Sequence, residues 1–88
     1  MHYFYILRCS DNSLYCGQTN DLHRRIKEHN SDKFRSAKYT KGRRPVKLVY
    51  FEKYKTINKA LMREFEIKSM TKIKKENLVK KNHSEIIL

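Results

Sequence analysis

The sequence predicts a small α+β fold, with three strands, the first two closed into an antiparallel hairpin, and about three helices. Three observations carry that reading. Two short aromatic strand pieces, Tyr3-Phe4-Tyr5 and Leu14-Tyr15-Cys16-Gly17, flank the turn-forming cluster Ser10-Asp11-Asn12-Ser13. A third apolar run, Val46 to Glu52 (VKLVYFE), follows the breakers Gly42 and Pro45. Elsewhere apolar residues return at helical spacing behind residues able to cap a helix.

Taken in order, Tyr3 to Cys9 (YFYILRC) reads as a strand with Tyr3, Tyr5, Leu7 and Cys9 on one face. Asp11 and Asn12 tolerate tight-turn geometry, so the chain returns as a second strand from Leu14 to Gln18. Thr19, Asn20 or Asp21 can cap a helix that runs to about His29 or Asn30. On it Leu22 and Ile26 face one way, Arg25 and His29 share their side, and Arg24 and Lys27 turn to water. Ser31 to Pro45 has no apolar period and reads as a basic loop, with Phe34 and Tyr39 interleaved among its Lys and Arg residues. The bulky run 46–52 is expected at the centre of the sheet. Thr56 can cap a second helix from Ile57 to about Met70, with Ile57, Ala60, Leu61, Phe65 and Ile67 as its apolar stripe. Thr71 to Asn82 reads as a lysine-rich third helix that packs through Ile73, Leu78 and Val79.

Eighty-eight residues hold one core, so one domain is assigned to residues 1–82 and a flexible tail to 83–88. An apolar fraction of 39%, with six Tyr and four Phe, excludes a disordered basic tail. No apolar run approaches the roughly 18 residues of a membrane span. Met1-His2-Tyr3 opens no secretory leader, so a cytoplasmic location is expected. Cys9 and Cys16 then read as reduced thiols, and His2, His23, His29 and His83 do not complete a zinc-finger spacing with them. The net charge of +12 is uneven. Residues 1–30 hold four Lys/Arg against three Asp/Glu, and residues 31–88 hold seventeen against six. Such a field attracts polyanions and makes their binding salt-sensitive.

Glu64 is the sharpest local anomaly, because it falls in the apolar stripe of the second helix while Glu66 falls on the opposite face. A carboxylate aimed at the core side costs several kcal/mol unless it is paired, solvated or bound to a metal. Its structural alternative is an ion pair with Lys68 or Arg25. Its chemical use is phosphodiester hydrolysis. One carboxylate suffices to hold a hydrated Mg²⁺, an arginine can fork onto non-bridging phosphate oxygens, and a tyrosine can act as base if a nearby cation lowers its pKa of about 10. Strand–turn–strand–helix brings Tyr5, Tyr15 and Arg25 to neighbouring positions, while Glu64 must arrive across the sheet.

At these residues the chain resembles the GIY-YIG nuclease superfamily. Tyr15-Cys16-Gly17 matches the second half-motif, and in Tyr3-Phe4-Tyr5 the final Tyr matches the first. LYCGQTNDLHRRIKEHN, AKYTKGRRPVKLVYFE and ALMREFEIK are similar to the small, stand-alone, single-domain bacterial branch of that family. The resemblance implies a three-stranded antiparallel sheet flanked by helices, with Tyr5, Tyr15, Arg25 and Glu64 as catalytic positions. It puts His29 where relatives carry a Tyr or His near the scissile phosphate. Gly17 would let the backbone pass close beside the site. One Mg²⁺ or Mn²⁺ on Glu64 is implied as cofactor. Tyr3 stands where the first half-motif opens on Gly, Gln18 where some relatives carry Lys, and Asn77 and Asn82 both qualify as the family's late asparagine.

The expected function is a divalent-metal-dependent endonuclease acting on DNA in preference to RNA, with low sequence specificity and a role in repair or recombination. The alternative is a nucleic-acid binding module that kept the fold without turnover. Lys33, Arg35, Lys38, Tyr39, Lys41, Arg43, Arg44 and Lys68 are the expected nucleic-acid contacts, with Phe34 or Tyr39 able to stack on an unpaired base. A protein partner that supplies target choice is a further expectation.

Overall fold

Strand β1 (His2–Arg8) buries Phe4 and Ile6 in one apolar cluster and Tyr5 and Leu7 in another, so it needs cover on both faces. The computed structural model describes residues 1–31 and 37–81, and in it β1 is the central strand. Strands β2 (Leu14–Thr19) and β3 (Lys47–Tyr54) pair with it antiparallel, in the order β2-β1-β3. The three-stranded antiparallel sheet is as expected, but the run 46–52 is not central. β3 buries only Tyr50 and carries exposed Lys47 and Lys53, a charge pattern that suits an edge. Four consecutive buried side chains outweigh a bulkier run interrupted by charge.

The hairpin register sets Tyr5 opposite Gly17 and Leu7 opposite Tyr15. At its turn Asn12 takes a φ of 69°, and an oxygen of Asp11 accepts the Ser13 backbone N–H at 3.0 Å. Helix α1 (Leu22–Ser31) is capped by Asp21, whose carboxylate accepts the Arg24 N–H at 3.1 Å. A short helix α2 (Lys38–Lys41) follows within the segment read as a loop; four residues are too few to show a period. Helix α3 (Ile57–Lys68) is capped by Thr56, and α4 (Lys72–Lys81) by Thr71. Lys33, Phe34, Arg35, Asn82 and the assigned tail 83–88 lie outside the described residues.

Phe4, Ile6, Cys16 and Tyr50 pack with Ile67 of α3 and Val79 of α4, while Tyr5, Leu7 and Cys9 pack with Leu22 of α1 and Val46. Helices therefore cover both faces of the sheet, and the two buried, unbridged cysteines fall in different clusters. No helix among the described residues is long and apolar enough to cross a membrane.

Helix α3 is rotated from the expected stripe. Ala60 and Ile67 are buried and Arg63 and Glu64 lie half-buried between them, whereas Leu61 and Phe65 are 41% and 81% exposed and Ile57 is exposed as well. The cause is an ion pair that no apolar pattern encodes. Arg63 grips Glu52 of β3 with two bonds, Nε to Oε1 at 2.8 Å and Nη2 to Oε2 at 3.0 Å, while the Tyr50 and Tyr54 hydroxyls donate to the same carboxylate. Likewise Ile73 of α4 stays exposed, and that helix packs through Val79 and Leu78. Arg63→Met is expected to cost about 2 kcal/mol in urea unfolding, because it strips the charged donors from a half-buried carboxylate. Arg24→Met, which removes an exposed side chain, should cost less than about 0.5 kcal/mol.

Candidate active site

Tyr5 sits in the most enclosed strand of the sheet and meets the underside of α1. Its hydroxyl lies 2.9 Å from Nε2 of His29, and Nδ1 of His29 lies 2.8 Å from the Thr40 hydroxyl oxygen. All three side chains are buried, His29 and Thr40 completely. Leu22 and Ile26 orient α1 by packing on the sheet, and the helical spacing then points His29 inward and leaves Arg25 half-buried at the rim. Burial of His29 was not legible as such: the side of the helix was, its depth was not.

Tyr15 joins the cluster from β2. Its ring meets the His29 imidazole edge-on with centroids 5.3 Å apart, lies 6.5 Å from the Tyr5 ring, and stacks on Tyr39 of α2 at 5.9 Å. The Arg43 guanidinium lies 3.9 Å above the Tyr39 ring. Tyr39 is thus already engaged by two partners, and a base could stack on it only by displacing one of them.

Gly17 lies directly across from Tyr5. A Cβ built there would stand 2.5 Å from the Tyr5 hydroxyl oxygen and 2.6 Å from its ring carbon Cζ. The missing side chain is the space the phenol fills.

Arg25 bonds to Glu28 at 3.1 Å, and its charge acts on the Tyr5 phenol. Glu64 comes from α3, half-buried beside Arg63, and its charge is felt at Tyr5 and Cys16. Oε2 of Glu64 lies 3.3 Å from Nζ of Lys68, so the ion pair foreseen as its structural alternative exists. Lys68 is half exposed, and such a pair holds weakly.

Burial, reinforced by Tyr15, pushes the Tyr5 phenol well above the ordinary range; the nearby Arg25 acts the other way and does not win. Arg25 by itself therefore does not lower the Tyr5 phenol. Burial, helped by Arg25, lowers His29 to about 4, so its imidazole is neutral near pH 7. Unfolding then takes up a proton between that value and the ordinary histidine pKa near 6.5. Stability is full above about pH 6.5 and declines as pH falls. A loss of about 2 kcal/mol between pH 7 and pH 5 is expected in urea unfolding, and it should shrink to a small residue in His29→Gln.

The expected nucleic-acid contacts divide into two groups. Lys38 and Lys41 are exposed, and Lys68 is half exposed. Arg43 and Arg44 instead stitch α2 to the site. Nε of Arg43 bonds Asp11 at 2.9 Å, and Nε of Arg44 bonds the His29 carbonyl at 2.6 Å. Asn77 is exposed on α4. Thr40 was not singled out by sequence, because a lone threonine in a basic stretch carries no periodic or motif signal. Among the described residues no three His, Cys, Asp or Glu side chains gather around a common metal position.

Comparison with known proteins gives this arrangement its context. The GIY-YIG catalytic domain model matches residues 1–83. The chain is 56% identical to a UPF0213 protein of Haloquadratum walsbyi over 77 residues, 88% of this chain and 84% of that one. It is 47% identical to UPF0213 protein YazA of Bacillus subtilis over 88 residues, 98% of this chain and 87% of that one. Among solved structures it is similar to the solution structure of the UPF0213 protein BH0048 from Bacillus halodurans, at 45% identity and a TM-score of 0.60, covering 93% of this chain and 85% of that one. It is also similar to the solution structure of protein EF2693 from E. faecalis, at 42% identity and a TM-score of 0.62, covering 99% and 91%. With a catalytic-domain match over nearly its whole length and relatives of its own size, the chain belongs to the GIY-YIG nuclease family, in its UPF0213 branch.

Proposed function

We propose that the protein is a divalent-metal-dependent endonuclease that hydrolyses phosphodiester bonds in DNA with low sequence specificity, in the service of repair or recombination. The observation that carries this reading is the Tyr5–His29 contact at 2.9 Å, a phenol joined to a buried, neutral imidazole able to take its proton. Arg25 stands half-buried at the rim, and its charge acts on the phenol. There it can fork onto the non-bridging oxygens of a phosphate, with a water placed between that phosphate and the phenol oxygen. That water gives a proton to Tyr5 as its oxygen bonds phosphorus, and Tyr5 passes its own proton to Nε2 of His29. The bond from phosphorus to the leaving strand breaks, and the leaving oxygen takes a proton from solvent. Tyr15 walls the pocket and orients the water. Cleavage thus forms an imidazolium on His29 in place of a phenolate on Tyr5; burial opposes both ions, and the negative charge of a bound phosphate favours the imidazolium alone.

Glu64 suits a Mg²⁺ or Mn²⁺ ion: it is a half-buried carboxylate whose ion pair with Lys68 is weak, and Mg²⁺ accepts one or two carboxylates with water completing its shell. When bound, such an ion polarises a phosphoryl oxygen and stabilises the leaving oxygen. Lys38, Lys41 and Lys68, together with the lysines of α4, support tracking of the phosphate backbone, and a protein partner would supply target choice. The unbridged Cys9 and Cys16 agree with a cytoplasmic setting.

The Glu64–Lys68 pair favours a second reading, a binding module without turnover. Nicking of supercoiled plasmid with Mg²⁺ or Mn²⁺ separates the two. The endonuclease reading expects cleavage that chelation abolishes. Binding without cleavage on branched, flapped and damaged DNA would favour the module. Either reading expects log affinity to fall with log salt at a slope near −5 for about six phosphate contacts on duplex DNA.

A further inference from the structure

The hydrogen-bond chain behind Tyr5 has a direction, and Thr40 sets it. A hydroxyl has one proton to give, and Thr40 lies 3.0 Å from the Ala37 carbonyl oxygen, which can only accept. With its proton so placed, the Thr40 oxygen meets Nδ1 of His29 as an acceptor, at 2.8 Å. Nδ1 must then carry the imidazole proton, and a neutral ring leaves Nε2 bare. Nε2 is the atom that faces the Tyr5 hydroxyl. The other end of the chain agrees. The phenol proton needs an acceptor, and bare Nε2 is the atom it meets, at 2.9 Å. In the reverse arrangement the Thr40 and Ala37 oxygens would face each other without a proton between them. Nε2–H would also donate to a phenol whose own proton had lost its acceptor.

We propose that Thr40 is a positioning residue: by donating to Ala37 it holds His29 in the Nδ1–H tautomer and aims an unprotonated Nε2 at Tyr5. The proposal deepens the hydrolytic reading of the site and rests on it for its catalytic consequence. The reversed tautomer would make His29 a donor to Tyr5, and the proton released by water would have nowhere to go. Thr40 is itself held firmly. The Ala37 carbonyl accepts the Thr40 and Lys41 backbone N–H groups, the Thr40 carbonyl accepts from Arg43, and the Arg43 carbonyl accepts from Ser10 beyond the end of β1. The short helix α2 is thereby a brace for the imidazole as well as a carrier of exposed lysines.

The test uses the whole chain labelled with ¹⁵N at histidine. Two-bond proton–nitrogen correlation spectra at neutral pH report which ring nitrogen of His29 is protonated, whether or not the protein cleaves anything. The wild type should show a protonated Nδ1 and a bare Nε2. Thr40→Ser, which keeps the hydroxyl, should retain that pattern and a single-turnover nicking rate within about 3-fold of wild type. Thr40→Val, which keeps the shape and loses the hydroxyl, should lose the single-tautomer pattern. It should also cut the rate at least about 10-fold with little change in DNA affinity. A protonated Nε2 in the wild type would overturn the proposal. So would a Thr40→Val variant with wild-type spectrum and rate. If Thr40→Val does not fold, the wild-type spectrum and the serine variant still decide. If the wild type binds DNA but never nicks it, the hydrolytic reading falls separately, and the spectra alone settle what Thr40 does to the imidazole.

Discussion

Gly17→Ala is expected to disable the site while leaving the fold standing. The new Cβ would lie 2.5 Å from the Tyr5 hydroxyl oxygen and 2.6 Å from Cζ, distances that real Cβ atoms essentially never show, and a tight 3.1 Å from Cε2. A clash with the far end of a side chain is usually cheap, because the end can swing away. Tyr5 has no such freedom: it is 1% exposed, bonded to His29 and packed against Leu7, Leu22 and Val46. Relief requires the phenol to move by about 1 Å, a displacement that costs on the order of 100-fold in rate when it misplaces a reacting group. The overpacked core should lose about 1–3 kcal/mol of stability. Nicking rates and urea unfolding measure the two effects. Gly42→Ala is the control, since a Cβ there meets nothing and its φ of −91° suits any residue. Its stability should change by less than about 0.5 kcal/mol, with full activity. A Gly17→Ala protein that nicks at the wild-type rate would remove Tyr5 from the proposed chemistry.

Glu64→Gln is expected to abolish metal-dependent nicking, with a loss of about 10³-fold or more. The amide keeps the shape of the carboxylate and loses the charge that would hold a divalent ion, so stability should barely change. The lost Lys68 contact is a weak, half-exposed pair. Lys68→Met gives the complementary result. If Glu64 is there to pair with Lys68, removing the lysine should matter as much as removing the glutamate. If Glu64 is there for a metal, the lysine variant should still nick, with its metal requirement satisfied at equal or lower concentration. Nicking that survives Glu64→Gln at the wild-type rate would assign the chemistry elsewhere.

How much could be read in advance varied by element. The α1 assignment held in detail: Leu22 packs on the core, Arg25 flanks it and Arg24 stays in water, because a helix converts sequence spacing into direction with little help from its surroundings. The Asp11–Asn12 turn and the Thr56 cap held for the same reason, since each is satisfied by backbone within a few residues. The position of β3 and the rotation of α3 did not hold. Leu61 and Phe65 are as apolar as any core residue, yet the Arg63–Glu52 grip turns them to solvent, and that pairing spans residues with no periodic relation. The site divided along the same line. Tyr5, Tyr15, Arg25 and Glu64 stand out by residue type and motif, whereas Thr40 matters only because α2 folds back onto His29.

By itself the order of residues determined which side chains were available: a hairpin of aromatics, a helix with its arginine and histidine on one side, a carboxylate among apolar neighbours and a strong positive field. Each is a short-range property, dictated by backbone geometry and the repeat of a helix or strand. Only the tertiary structure decided which strand is enclosed, how deeply His29 is buried, how Glu64 comes to be half-buried beside Lys68 and which nitrogen of the imidazole faces the phenol. Those outcomes depend on contacts between residues far apart in the chain, where burial and the supply of hydrogen-bond acceptors, rather than local spacing, set the energy.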